Sequence, residues 1–387
     1  MAKELSFVLI NPYTIRKSRT GGIISRVMAR TGLELVSARM FGPSAELTEQ
    51  YAQLLEQSPD LSPEERQIFA DYVRRHYAPD ARTGRPHRVL LLLLEGEDAI
   101  AKVRQAVGPL RSAAGSGETV RETFGDFVTD TAGQLTYCEP AVMTARSAYQ
   151  VGAVLRLWAA HSARDGGIVQ GASDVSSNED VQTTLVILKP DNFRFPSARV
   201  GNIIDIFSAS GLRIIAAKMH RMSVAQAEEF YGPVRDVLRR KLTGMAGERG
   251  SKAITQELGL PVPADVAAKI GDLVGPLFGD HQFFTIIKFM TGQWAPEVPE
   301  ADKATPGLER CLILVYRGSK AVEKIRKILG PTDPSKAEPG SVRKEYGKDI
   351  MVNAAHASDS PENAQREMRI VKVDEDLISA TVKQYYS

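Results

Sequence analysis

Cysteine is scarce in this sequence: Cys138 and Cys311 are its two examples in 387 residues, far apart and in no metal-ligand spacing. That excludes a disulfide framework and a cysteine-based zinc site, and leaves two ordinary reduced thiols. An excess of one charge is lacking as well, with 49 Lys and Arg against 47 Asp and Glu and a formal net charge of +2. Such a balance builds no overall field to steer nucleic acid or a membrane surface, so any anion site must be local. Long hydrophobic runs are also missing. No stretch approaches the roughly 18 apolar residues that cross a bilayer, and the longest run, Val89 to Leu94, suits a buried strand. The first residues hold no apolar core followed by a cleavage site, which gives the expectation of a cytoplasmic protein that makes no membrane contact.

What is present is an internal repeat. The chain is long enough for two or three domains, each with its own core. Residues 5 to 40 contain an apolar strand, Asn11-Pro12-Tyr13, Gly22-Ile23-Ile24 and then Thr31-Gly32-Leu33 running on to Arg39-Met40. Residues 184 to 219 hold the same order: Leu185 to Leu188, Lys189-Pro190-Asp191, Gly201-Asn202-Ile203, then Ser210-Gly211-Leu212 to Lys218-Met219. From Gly22 to Met40 the correspondence needs no gap. It resumes at a larger displacement, where Leu94 to Arg104 answers Tyr316 to Arg326, Val120-Arg121 answers Val342-Arg343, and Phe124-Gly125 answers Tyr346-Gly347. The chain is therefore a tandem duplication whose second copy carries extra residues in its middle, near 239–276 and 294–306.

Each copy alternates apolar strands with stretches of helical periodicity and returns on a last strand. This order predicts two ferredoxin-like βαββαβ sandwiches, each an antiparallel four-stranded sheet with helices on one face. Ser223 to Gln226 opens a helix as a capping box, and Gly330-Pro331 closes the helix from Ala321. The first copy spans residues 1–165, the second 181–387. Between them, the Gly, Ser and Asn-rich run 166–180 has the composition of a flexible linker. The basic run Arg235 to Lys241 is read as a solvated helical face, with no specific nucleic-acid partner.

Chemistry concentrates near the C-terminus, in Asn353-Ala354-Ala355-His356-Ala357-Ser358-Asp359-Ser360. A histidine in a polar loop is ordinarily only a loop residue. Here small neighbours leave room for a phosphoryl group beside the ring, and imidazole carries such a group when one nitrogen attacks and an acceptor fixes the other. Lys189, Arg326, Thr332, Arg343 and Asn353 fall at loops or element ends where a shared cleft gathers them. Arginine suits such a cleft because its planar fork grips phosphate in two places.

The motifs Lys189-Pro190-Asp191, Glu228-Glu229-Phe230-Tyr231, Gly330-Pro331-Thr332-Asp333-Pro334, Pro339-Gly340-Ser341-Val342-Arg343 and Asn353 through Glu367 resemble those of the nucleoside diphosphate kinases. The resemblance covers about residues 181 to 373 apart from the insertions. It implies a ping-pong phosphotransferase in which His356 takes the γ-phosphoryl of a nucleoside triphosphate and passes it to a nucleoside diphosphate. On the same resemblance, Lys189, Tyr231, Arg326, Thr332 and Arg343 hold phosphates, and Asn353 and Lys189 reach the sugar. Ser358 and Glu367 orient the histidine, and a base stacks on an aromatic from Phe283-Phe284, taken as Phe283. Magnesium travels in with the nucleotide, held chiefly by its phosphates. The fused copies are expected to pack as a pseudo-dimer, with assembly into a homo-oligomer as a further expectation.

Departures are expected to matter in two places. Ala357 follows the histidine where the family has glycine, which is tolerated unless the backbone there needs a positive φ. In the first copy the later, larger displacement sets Gln134 against His356, Thr131 against Asn353, Thr136 against Ser358 and Leu110 against Thr332, while Asn11 answers Lys189 at a displacement close to that of the first stretch. Glutamine forms no such phosphorylated intermediate. Arg104, Arg121 and Tyr51 remain in that copy, as nucleotide-binding residues or as structural remnants. The first copy is thus expected to be catalytically dead. The competing reading of the whole chain is a nucleotide-binding or scaffolding protein that keeps the fold without the activity.

Overall fold

The computed structural model describes residues 3–110, 116–132, 135–172 and 180–386. Ten strands are distinguished: β1 (Glu4–Ile10), β2 (Glu34–Phe41), β3 (Val89–Gly96), β4 (Asp126–Thr129), β5 (Leu135–Glu139), β6 (Val142–Met143), β7 (Val181–Leu188), β8 (Arg213–His220), β9 (Cys311–Ser319) and β10 (Ala355–Ala357). The chain forms two compact units, Met1–His220 with Leu312–Ser387, and Arg221–Cys311. Both copies contribute their sheets to the first unit. Among the described residues no helix is long and apolar enough to cross a membrane.

The duplication is visible in the strands. One eight-stranded sheet runs β10-β7-β9-β8-β2-β3-β1-β6, so each copy supplies four strands in mirrored order. Each half has the ferredoxin-like strand order. The halves join where β2 meets β8 antiparallel, at the pair Arg39 and Lys218. Those two residues are equivalents under the duplication, so the seam is a local two-fold of the kind seen at isologous interfaces. Helices Thr20–Thr31 and Arg199–Ser208 cross beside it, and the crossing requires glycine. A Cβ at Gly201 would stand 2.3 Å from Gly21 O and from Ser25 N. Both helices are followed by a glycine in the left-handed region, Gly32 (φ 61°) and Gly211 (φ 69°), where a side chain is disfavoured.

Period-two alternation sorts side chains into two cores. Leu90, Leu92 and Leu94 of β3 join Val8 and Ile10 of β1 in a core shared by both copies. Val89, Leu91 and Leu93 join Leu5, Phe7 and Leu9 on the opposite face. The expectation of helices on one face is thereby corrected for the first copy. Its second face is covered by Ala45–Glu56, Pro63–His76, Ala148–Asp165 and the C-terminal helix Ile378–Tyr385, which together supply the second core. That last helix belongs to the second copy in sequence. Its Tyr386 hydroxyl donates to Leu5 O at 2.5 Å, and Tyr385 bonds Glu95. The seam residues hold the segment leading into it. Lys218 Nζ donates to Val371 O and Lys372 O, and Arg39 to Asp374 O and Glu375 O.

The second unit is helical, with Val224–Lys241, Thr243–Leu258 and Ala264–Thr291. The capping box Ser223–Gln226 is formed. Glycines 271 and 275 let the last helix approach Thr243. Arg235 and Arg239, read from sequence as a solvated face, both clasp the Asp280 carboxylate at 2.7–3.1 Å.

Register shows where the repeat changes step. Ala355 and His356 of β10 face Leu188 and Ile187 of β7. In the first copy Val142 and Met143 of β6 face Ile10 and Leu9 of β1. Backbone details agree: Ala354 and Ala141 both have positive φ, 67° and 62°, and Lys189 N and Asn11 N donate to their carbonyls. His356 therefore answers Met143. Gln134 lies outside the described residues; β4 and β5 pair antiparallel in the first copy and have no counterpart strands among the described residues of the second. Pro140 answers Asn353, Ala145 answers Ser358 and Val154 answers Glu367.

Candidate active site

The site begins with a backbone turn. Ala354 adopts φ 67°, a conformation that costs a non-glycine residue stability and persists only where surroundings enforce it. The enforcement is hydrogen bonding. Its carbonyl accepts from Lys189 N at 2.9 Å and from Asn192 Nδ2 at 2.7 Å. The next carbonyl, Ala355 O, accepts from Arg343 Nη2 at 3.0 Å, while Arg343 Nη1 reaches Gly330 O. The positive φ falls at Ala354 and not at Ala357, which is an ordinary strand residue, so the alanine after the histidine carries no penalty.

This turn presents His356 on β10 with its side chain 23 % exposed. Nε2 faces both oxygens of Glu367, at 3.1 Å each. Glu367 comes from the helix Pro361–Ile370, capped by Ser360, and is itself buried. The buried Ser358 hydroxyl donates to the same carboxylate at 2.5 Å. A carboxylate so held favours the tautomer with its proton on Nε2, which leaves the ring's basic lone pair on Nδ1.

Cations gather beside the ring. Lys189 Nζ donates to Asn353 Oδ1 at 2.6 Å, and Asn353 Nδ2 donates to Thr332 O and Ile350 O. Burial, then the nearby Arg343, pushes the Lys189 ammonium down to about 8. Burial, then Arg326, likewise pushes Arg343 down to about 10. Arg326 is exposed at the end of its helix. Repulsion among these groups is what an incoming polyphosphate would relieve. Among the described residues no cluster of three or more His, Cys, Asp or Glu is placed to hold a metal.

The structure thus gathers His356, Glu367, Ser358, Lys189, Asn353, Thr332, Arg326 and Arg343 in the first unit. Tyr231 and Phe283 lie in the second. Phe283 is buried, with Arg235 over its ring at 5.3 Å and Phe284 against it at 5.5 Å. The expected base-stacking residue Phe283 is thus packed within the second unit, under Arg235. Sequence reasoning passed over Asn192 and Arg199. Arg199 Nε donates to Asn192 Oδ1 and its Nη2 pairs with Asp191, bracing the loop that carries Lys189. Their only sequence signal was proximity to Lys189-Pro190-Asp191.

In the first copy the Lys189 position is drawn into a buried hydrogen-bonded cluster. Asn11, in the Lys189 position, donates to Glu139 and accepts from the Tyr77 hydroxyl. The Tyr72 hydroxyl donates to Glu139 at 2.6 Å. Arg121 repeats the backbone contacts of Arg343, to Gly108 O and Val142 O, but is fully buried under Phe69. Tyr51 is buried against Tyr77 and Trp158. Neither Arg121 nor Tyr51 is open to a nucleotide, which makes both structural remnants.

Comparison with known proteins agrees with the duplicated pattern. The family model described as nucleoside diphosphate kinase matches residues 4–133, 182–238 and 305–376. The chain is 35% identical over 208 residues to the nucleoside diphosphate kinase of Pyrobaculum aerophilum, covering 51% of this chain and 98% of that protein. It is 29% identical over 199 residues to that of Staphylothermus marinus, covering 51% and 98%. Among solved structures, the P. aerophilum NDP kinase aligns over 49% of this chain and 94% of its own, at 32% identity and a TM-score of 0.31. The Aquifex aeolicus nucleoside diphosphate kinase aligns over the same shares at 27% identity and a TM-score of 0.30.

Proposed function

The chain belongs to the nucleoside diphosphate kinase family, and from that premise we propose that its second copy transfers the γ-phosphoryl of a nucleoside triphosphate to a nucleoside diphosphate through His356. The observation that carries this reading is the His356–Glu367–Ser358 chain set beside Lys189 and Arg343. Nδ1 attacks the γ-phosphorus, the bond to the bridging oxygen breaks, and the diphosphate leaves. Positive charge gathering on the imidazole is stabilised by the Glu367 carboxylate at Nε2. The second diphosphate then attacks phosphohistidine by the reverse path.

Around the phosphates, Lys189, Arg326, Arg343, Thr332 and Tyr231 supply donors, Tyr231 on motif position alone. Asn353 and Lys189 address the sugar. Magnesium arriving with the nucleotide would be held chiefly by phosphate oxygens and would neutralise charge there, beside the donors of Lys189, Arg326 and Arg343. We further propose a cytoplasmic protein whose two copies, residues 1–165 and 181–387, act as an intramolecular pseudo-dimer with the first copy inert. The continuous eight-stranded sheet supports that arrangement.

The test is γ-labelled ATP with magnesium, followed by a search for acid-labile, base-stable label. Label on the wild type and none on His356→Ala is the expected result. Equal labelling of the two proteins would overturn the assignment.

A further inference from the structure

A small arginine-lined cleft lies at the seam between the copies. Its volume is about 40 Å³, and it is lined from the first copy by Arg16, Thr20 and Arg88 and from the second by Arg213 and Tyr316. One water needs roughly 10–15 Å³ by this measure, so the cleft has room for one tetrahedral oxyanion. Three arginines are among its lining residues and no Asp or Glu is. Arg88 is buried and anchored by Nη1 on Ile214 O.

Two further observations point to a ligand. Thr20 is the first residue of the twelve-residue helix Thr20–Thr31, whose N-terminus has no side-chain cap. Helix amides at such an end favour an anion. The Thr20 and Tyr316 hydroxyls, on residues 3 % and 1 % exposed, have no hydrogen-bond partner in the protein. A buried hydroxyl left so costs stability and calls for a partner. The mates of these residues under the duplication are unlike them. Thr20 answers Arg199, which is committed to Asn192 and Asp191, and Tyr316 answers Leu94, so neither hydroxyl is repeated in the other copy.

We propose that this cleft binds a phosphate group, bridging the copies and strengthening their docking. The ligand is inorganic phosphate or the terminal phosphate of a nucleotide. The test measures thermal unfolding of the full-length protein against inorganic phosphate and, separately, ADP. Wild type is compared with Arg326→Gln, which weakens the catalytic cleft, with Arg16→Gln/Arg213→Gln, and with Tyr316→Phe. Phosphate is expected to raise the melting temperature of wild type and Arg326→Gln alike. The double variant should need phosphate about tenfold higher for each guanidinium lost, and Tyr316→Phe should show a smaller weakening. An ADP response in Arg326→Gln that is lost when Arg16→Gln/Arg213→Gln is added to that background identifies a nucleotide terminus as the ligand; a response to phosphate alone in Arg326→Gln identifies the free ion. A phosphate effect that vanishes in Arg326→Gln, persists unchanged in the double variant, or is absent from wild type overturns the proposal.

Discussion

The Glu367 carboxylate meets His356 Nε2 with both oxygens at 3.1 Å while accepting the Ser358 hydroxyl at 2.5 Å. One buried acid thus holds the ring's tautomer and faces the charge that develops on it. Replacing it by Glu367→Gln keeps the shape and removes the charge. The expected outcome is a fall of about 10²-fold in kcat with little change in nucleotide KM, read by coupled-assay steady-state kinetics. An unchanged kcat would show that the carboxylate is only structural.

Met143 occupies in the first copy the register position of His356. Restoring histidine there supplies a ring without its surroundings, since Val154 replaces the acid, Ala145 the serine and Asn11 the lysine. Arg121 and Tyr51 are buried as well. Met143→His in a His356→Ala background is therefore expected to take no label from γ-labelled ATP. Appreciable labelling would mean that the first copy still admits nucleotide.

Much of this was legible because duplication prints the same physics twice. Gly32 and Gly211 end equivalent helices, and Val89 to Leu94 is apolar throughout because both of its faces are covered. The covering itself was not legible, since the C-terminal helix reaches the first copy from far along the chain. Gln134 was set against His356 by running a gapless match past Gly125. The extra strand pair of β4 and β5 breaks that match, and only strand register shows Met143 in its place. Phe283 and Phe284 are adjacent and alike in sequence, and the Arg235 position decides which faces are covered. Asn192 and Arg199 matter through contacts that spacing does not announce.

Lys189 gives a pH signature. Its pKa is lowered from 10.5 to about 8, by burial first and by Arg343 second. Above that value the free enzyme loses the charge that receives phosphate, so kcat/KM is expected to decline with an apparent pKa near 8. Lys189→Arg, which keeps its charge, should lack that limb. Stability moves the other way. Between about 8 and 10.5 the unfolded chain holds a proton that the folded chain has released, so the unfolded state binds more protons and this group's contribution to stability rises with pH across that window. A kcat/KM limb that survives in Lys189→Arg would assign it to another group.

Gly201 sets the distance between the copies. An added Cβ would meet backbone atoms of Gly21 and Ser25 at 2.3 Å, and backbone yields less readily than the end of a flexible side chain. Overpacking of this kind costs typically about 1–3 kcal/mol. Gly201→Ala is therefore expected to lower the urea midpoint while leaving the His356–Glu367 geometry untouched, because His356 stands on β10, at the far edge of the sheet from the β2–β8 seam within its half. Gly32→Ala serves as the comparison, since its position has open space but a φ of 61°. If close approach is what Gly201 provides, Gly201→Ala loses more stability than Gly32→Ala. Equal losses would mean that conformational freedom, and not contact between the copies, is what glycine supplies at the seam.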